Sequence, residues 1–559
     1  MKHAMQSTMT VVAVLALGLA ACGGSGGNDT AAPESGSGTP PVIVTPPPSA
    51  SFALTLDTDK VVLLPGGTAR VLASVTRLAG FNDAVTIELS GLPSGVSAAP
   101  AEVSAGASSV ELVLSAQAAA PHSLPTIGTA QGRAAGQSAD KALTVTVRGA
   151  AGDVDTSFAG GTIVTPVDIG EDYVNAVAVQ ADGKVLAAGS SGTVKGTQLA
   201  LLRYGRDGTL DTTFGNGGKV LTAVGPAGND VAHAIAVQAD GKIVVAGSTD
   251  QGGSVGLDFA LLRYNADGSP DGTFGNGGRV LTDFGSATDR AWALLLTADG
   301  KIVLGGQTNT SAGGVDFALA RYSPNGALDT GFGNGGKVVT PLKSNGGTDI
   351  VRALAVQTVN GSERILAAGG EGDFIAARYT DSGELDNGFG VNGKVVGLFG
   401  ASIGSAYALA PLPSGEAVLA GHIGHNFAAV QLTAAGLLDN RFGPAHDGRF
   451  TMAVSPANWD EASALVRQPD GKLILGGWVF PGPGTAGDFA TLRLSADGTV
   501  DAGFGNAGVT IKPMATGTKS DQAHALALQS DDRIPTVRAI LAGEANGSNH
   551  DVALTRLWL

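Results

Sequence analysis

Leu210-Asp-Thr-Thr-Phe-Gly-Asn-Gly-Gly-Lys-Val220 is the stretch whose recurrence decides the architecture. Its D-x-x-F core returns as Asp155/Phe158, Asp211/Phe214, Asp271/Phe274, Asp329/Phe332, Asp386/Phe389, Asp439/Phe442 and Asp501/Phe504. Successive copies stand 53 to 62 residues apart, a period that suits the blades of a propeller better than helical repeats. One full copy begins at Asp230-Val-Ala-His-Ala-Ile-Ala-Val-Gln-Ala-Asp-Gly-Lys-Ile-Val-Val-Ala-Gly247. It continues through Asp258-Phe-Ala-Leu-Leu-Arg-Tyr264 to the next D-x-x-F-G-x-G-G. Four strands per copy follow from the alternation: 234–238, 242–246, 259–264 and 278–282. Asp240-Gly241 joins the first two as a tight hairpin, and Asp182-Gly183, Asp299-Gly300, Asn360-Gly361 and Asp470-Gly471 repeat it.

These residues resemble delta-60 repeats, in which a D-G-K-I-x-x-A-G strand pair is followed by F-A-x-x-R-Y and D-x-x-F-G-x-x-G. The resemblance covers about 400 residues and implies a β-propeller. It brings no catalytic set with it. The array opens on 161–166, which matches a fourth strand, and stops at 552–557, which matches a third. A seven-bladed ring is therefore expected, closed by the N-terminal strand so that no sheet edge is left bare. Ahead of it, residues 51–148 alternate apolar and polar residues in short runs such as Phe52-x-Leu54-x-Leu56 and Val85-x-Ile87-x-Leu89. Gly91-Leu-Pro-Ser-Gly-Val96 is similar to turns of bacterial immunoglobulin-like modules, so an immunoglobulin-like β-sandwich acting as a spacer is expected. The fold class is all-β, with the propeller at 153–559.

The N-terminus reads as an address. Residues 10–21 form an apolar run too short to span a bilayer permanently, ending in Leu19-Ala-Ala-Cys22. This resembles a bacterial lipoprotein signal (1–21) with Cys22 as the lipid attachment site, and Cys22 is the one cysteine in the chain. Residues 22–50 are rich in Gly, Ser and Pro, a flexible tether. The expected location is the bacterial cell envelope, exported and lipid-anchored at the outer membrane on its periplasmic or surface face, with membrane contact through the lipid alone. A net charge of −15 argues against nucleic acid. A monomer is expected.

Repetition argues that the seven aspartates build rather than catalyse, since one active site does not need seven copies. Arg203, Arg263, Arg321, Arg378, Arg493 and Arg556 recur at the end of the third strand, with Gln431 the exception. The Asp is expected to cap a turn or pair with this Arg, and the Phe to fill the interface between blades. Asn265-Ala-Asp-Gly-Ser-Pro-Asp271 has alternating oxygen ligands like part of a calcium loop. Arg263 stands where the first carboxylate belongs, and His422 and His425 lack a third ligand, so neither metal nor cofactor is expected. The G-x-S-x-G strings at Ser25, Ser254 and Ser402 lack the strand-turn-helix setting of a nucleophile elbow.

Variation inside a constant frame is where a ligand is sought. Just before the constant Ala of strand one stand Asn175, His233, Trp292, Arg352, Tyr407, Ser463 and His524. Trp292, Trp459 and Trp478 fall on the same predicted rim and suit stacking on sugars or anchoring a protein. The candidate ligand-binding set is His233, Trp292, Arg352, Tyr407, Trp459, Trp478 and His524. A non-enzymatic binding or scaffold module for an envelope protein or polysaccharide is the leading expectation. The alternative is a carbohydrate-active hydrolase or lyase with its site in the funnel.

Overall fold

A computed structural model describes residues 50–559, apart from 195, 253–255, 286–287, 311–313, 344–346, 401–402, 456–458, 481–485, 516–519, 532–533 and 547–548. The signal segment, Cys22 and the tether up to residue 49 lie outside the described residues, as do Ser25, Ser254 and Ser402. Ala50–Leu559 forms one compact unit. It is all-β: the single helical element among the described residues is a 3-10 turn at Ala159–Gly161.

Residues 51–147 form two sheets over one core. Ser51–Leu56, Thr68–Leu78, Ser109–Ala116 and Val96–Ala98 make one; Lys60–Leu63, Gln137–Val147, Thr126–Ala134, Val85–Ser90 and Ala101–Val103 make the other. Phe52, Leu54, Val71 and Leu112 of the first sheet meet Val61, Val85, Ile87 and Val145 of the second. Period-two alternation produces this directly, because every second side chain points to the shared face.

Seven four-stranded antiparallel sheets follow. The second is typical: Val231–Val237, Ile243–Asp250, Leu257–Tyr264 and Arg279–Thr282 pair in that order. The seventh takes Gln522–Asp531, Ile534–Asn546 and His550–Trp558 from the C-terminus, and its fourth strand is Ile163–Thr165. Ile163 faces Leu554 and Thr165 faces Val552 across that antiparallel seam. Apolar clusters fill the spaces between consecutive sheets. One joins Val174, Val185 and Leu202 of the first to Ile540, Val552 and Leu554 of the seventh.

The D-x-x-F motif works at these junctions. Asp271 Oδ1 accepts from the Thr273 amide (3.1 Å) and hydroxyl (2.7 Å), which caps the turn. Its Oδ2 accepts from Arg263 Nε at 2.7 Å and Lys242 Nζ at 2.8 Å, so the Lys of the Asp-Gly-Lys hairpin joins the pair. Arg263 then covers the Phe274 ring, 4.3 Å from its centroid, and donates Nη1 to the Pro324 carbonyl of the next sheet at 2.6 Å. Where Gln431 replaces the Arg, it donates to Asp439 at 2.9 Å and Arg441 supplies the charge at 2.6 Å. The Phe side chains are buried between sheets, Phe214 against Ala232 and Val245, for example.

Each first strand carries a β-bulge, and in every sheet the extra residue is the variable one: Asn175, His233, Trp292, Arg352, Tyr407, Ser463 and His524. The cause lies across the ladder. Gly189, Gly247, Gly306, Gly369, Gly421, Gly477 and Gly543 face the bulges, and a β-carbon at any of them would overlap a carbonyl oxygen of strand one, such as that of Val231 for Gly247. The Gly that ends D-G-K-I-x-x-A-G is thus what lets strand one press in and kink. A bulge re-aims a side chain out of the regular alternation.

Candidate functional site

The bulged residues surround a central cavity of about 250 Å³, lined by Asn175, His233, Trp292, Arg352, Tyr407 and Ser463. Two residues further along each strand stand Val177, Ile235, Leu294, Leu354, Leu409, Leu465 and Leu526, which also line it. The cavity therefore has a polar and aromatic ring above an apolar one. A larger cleft of about 570 Å³ lies elsewhere, between the repeated turns at Thr273, Asn276, Arg279 and Asn325. Those residues belong to the constant frame.

Side chains from neighbouring sheets make one run of contacts around the ring. The His233 and Trp292 rings lie 4.0 Å apart. The Arg352 guanidinium sits 4.1 Å over Trp292 and 5.7 Å from the Tyr407 centroid. Tyr407 stacks on His422 at 5.7 Å, and His422 Nδ1 is 3.8 Å from Glu461 Oε2. Trp292 is oriented by its indole N–H, which donates to Gln307 at 3.1 Å. Across the ring, His524 Nε2 meets Glu544 Oε2 at 2.8 Å, and Ser463 donates to Glu461 at 3.3 Å.

Charge divides the ring into two halves. Burial, followed by the charges of Arg352 and Arg290, pushes His233 down to about 3, so it is a neutral imidazole at pH 7. Burial also lowers Arg352 and raises Tyr407 to about 12. Burial alone would lower His524 too, but the hydrogen bond and charge of Glu544, with Glu461 behind, raise it instead. Glu461 is itself raised by burial. One half offers arginine and aromatic faces; the other offers His524, Ser463 and carboxylates. This arrangement can hold a small polar ligand with an anionic end.

The structure brings His233, Trp292, Arg352 and Tyr407 together and places His524 on the same ring. It does not do so for the other two tryptophans. Trp478, expected on an accessible rim, is only 8% exposed and packs edge-on against Phe480. It stands opposite Glu461 on the second strand and does not line the cavity. Trp459 is exposed and packs on His425 at 3.9 Å, at the approach to strand one. Sequence reasoning missed Glu461, Glu544 and Arg290, which vary without a motif. It also missed Asp172, Asp230, Asp289, Asp349, Asp460 and Asp521, each three residues before a bulge, a spacing that was there to find. These are buried and hold the loop entering strand one; Asp230, for instance, accepts from the Val224 and Gly225 amides at 2.7 and 3.1 Å. Asp258, Asp283 and Asp289 bring carboxylate oxygens within 4.8 Å of one another. Burial and then the two neighbouring carboxylates push Asp258 up to about 6, while Lys337 opposes them.

Residues 180–214, 238–274, 297–332 and 468–504 match a family described as a domain of unknown function (DUF5122) beta-propeller. The chain carries β-propeller repeats. The matched segments all begin downstream of the bulged residue and end at the Phe of D-x-x-F. No curated protein matches the chain. Among solved structures it is similar to a DUF4784 family protein from Bacteroides caccae at 7% identity, over 68% of this chain and 92% of that one, with a TM-score of 0.25. It is similar also to domains 4–9 of surface layer protein SbsC, at 10% identity over 90% and 82% with a TM-score of 0.14. The eight N-terminal Ig domains of Down Syndrome Cell Adhesion Molecule match at 10% identity over 91% and 54%, with a TM-score of 0.13. Scores this low carry no argument about fold or function.

Proposed function

We propose that this is a non-enzymatic, lipid-anchored envelope protein whose seven-bladed propeller binds a partner or polysaccharide through its variable ring. The immunoglobulin-like sandwich is the spacer, and Cys22 carries the lipid. One observation supports the binding reading above the others. All seven sheets keep the same bulge and the same facing glycine, yet the residue delivered into the channel differs almost every time. A device kept constant while its product varies is what a recognition surface on a fixed scaffold requires.

The test is capture from the native envelope by the full chain, compared with chains carrying Trp292→Ala and Tyr407→Ala. The reading predicts a retained envelope component that is reduced at least tenfold by the double substitution, with the melting temperature little changed. Capture untouched by both substitutions would refute it. Cys22→Ser should move the chain from the membrane fraction to the soluble one, and continued membrane retention would remove the lipid anchor from the proposal.

A further inference from the structure

Arg352 is built differently from the arginines of the repeat. Arg263 has its donors engaged by Asp271 and by the Pro324 carbonyl, as its equivalents do in other sheets. Arg352 is held instead by stacking, between Trp292 of the preceding sheet and Tyr407 of the following one. Stacking uses the faces of a planar guanidinium, while all five of its N–H donors lie in the plane. Among the described residues those donors find no acceptor: Nε is buried without one, and no carboxylate stands within ion-pair distance of the group. Glu371 and Glu461 act on it only through space, and Arg290 adds a second positive charge nearby. A charge kept partly dry, fixed in rotamer and left without an in-plane acceptor is complementary to one thing. That is an anion able to take two parallel N–H bonds.

We infer that Arg352 receives the carboxylate of a sugar acid whose ring occupies the central cavity. This inference rests on the reading of the ring as a binding surface and names the chemistry it selects. The cavity of about 250 Å³ admits a single sugar ring. Its floor of Leu294, Leu354 and Leu409 accepts an apolar sugar face, and Asn175 and Ser463 in the same lining offer side-chain oxygens that can accept from hydroxyls. Glu461 stands beside Ser463 and Glu544 beside His524, so a second anionic group on the ligand would be repelled. A net charge of −15 likewise disfavours densely sulfated or phosphorylated polymers.

Isothermal titration of the full chain with D-glucuronate, D-glucose and acetate tests this directly. Saturable binding of glucuronate is expected, with glucose and acetate each at least tenfold weaker. Arg352→Gln should weaken glucuronate at least tenfold and leave glucose unchanged. Arg352→Lys, which keeps the charge but loses the fork, should also weaken it severalfold, and it serves as the decisive variant if the glutamine form fails to fold. Equal affinity for glucuronate and glucose would overturn the anion site. Acetate, or a peptide C-terminal carboxylate, binding as tightly as glucuronate would overturn the sugar assignment. Should Arg352→Gln capture the envelope component as well as the parent, this inference fails while the ring-binding reading stands. Loss of capture in Trp292→Ala and Tyr407→Ala, without any response to uronate, separates the two in the same way.

Discussion

At residue scale, the channel positions depend on a group that never touches them. Opposite each bulge stands a glycine whose missing side chain is the space into which strand one is pushed. Gly306 is among the sharpest cases, because a β-carbon there would overlap the Arg290 carbonyl and crowd Ala291 in the same strand. Gly306→Ala should therefore cost about 2–4 kcal/mol, since backbone rather than a flexible side chain has to move. Gly272 is the matched control. It has open space around its β-position and no positive φ. Gly272→Ala should be neutral or add a few tenths of a kcal/mol by restricting the unfolded chain. Urea unfolding of the two variants decides the matter; equal effects would show that the bulge does not require the glycine. Gly306→Ala should also release Trp292 from Gln307, visible as a red shift in its emission.

At the scale of elements, the closing strand Ile163–Thr165 does more than pair with His550–Trp558. The segment leading into it carries Asp155, fully buried, whose Oδ2 lies 2.8 Å from both Nε and Nη2 of Arg556 and 3.2 Å from Arg538 Nε. Just upstream, the Ala151 carbonyl accepts from Gly505 at 2.8 Å, as the Asn325 carbonyl does from Gly275 at 3.0 Å. The junction after the sandwich thus substitutes for the turn that each sheet receives from its successor. Asp155→Ala should destabilise the array by about 3–5 kcal/mol, the usual effect of removing one partner of a buried pair. Deletion of 153–166 should go further and give oligomers by size-exclusion chromatography, because the His550–Trp558 edge is then bare. A monomeric, fully folded deletion variant would refute the seam. Much of this scale was legible in the sequence. The repeat, the four strands of each copy, the Arg–Asp–Phe unit and the variable position all follow from spacing, because they are local or recur. The bulges were not legible, since they arise from a close approach between strands that alternation does not encode. Nor was the burial of Trp478, which comes with its edge-on packing against Phe480 and follows no local period. The run from His233 through Trp292 and Arg352 to Tyr407 joins residues some sixty positions apart, and no local period relates their chemistry.

At the scale of the whole molecule, repetition multiplies a small effect into a pH response. Asp211, Asp271, Asp329, Asp386, Asp439 and Asp501 are all held below the ordinary carboxylate range. In Asp271 the Lys242 and Thr273 hydrogen bonds lead, and in Asp439 the Arg441 bond leads and holds it at about 2. A carboxylate depressed in the fold stabilises it above the unfolded value near 4, and that stability is lost as pH falls through the folded value. A second set works in the opposite sense. Burial raises Asp172, Asp258, Asp460, Glu461 and Asp488, with Asp258 reaching about 6. Such groups keep a proton in the fold at pH values where the unfolded chain has lost it, for Asp258 between about 4 and 6, so each makes stability decline as pH rises through its own window. The two histidines act in opposite senses: raised His524 favours the fold below its folded value, whereas His233, lowered to about 3, disfavours it below about 6.5. The depressed aspartates therefore make stability fall below pH 4, while Asp258 makes it decline as pH rises between about 4 and 6. Below pH 4, unfolding should take up on the order of three to six protons, read from the slope of unfolding free energy against pH. Asp271→Asn should lower that slope by about one proton, and Asp258→Asn should flatten the decline between pH 4 and 6. A profile left unchanged between pH 4 and 6 in Asp258→Asn would mean that the buried carboxylate does not act in this way.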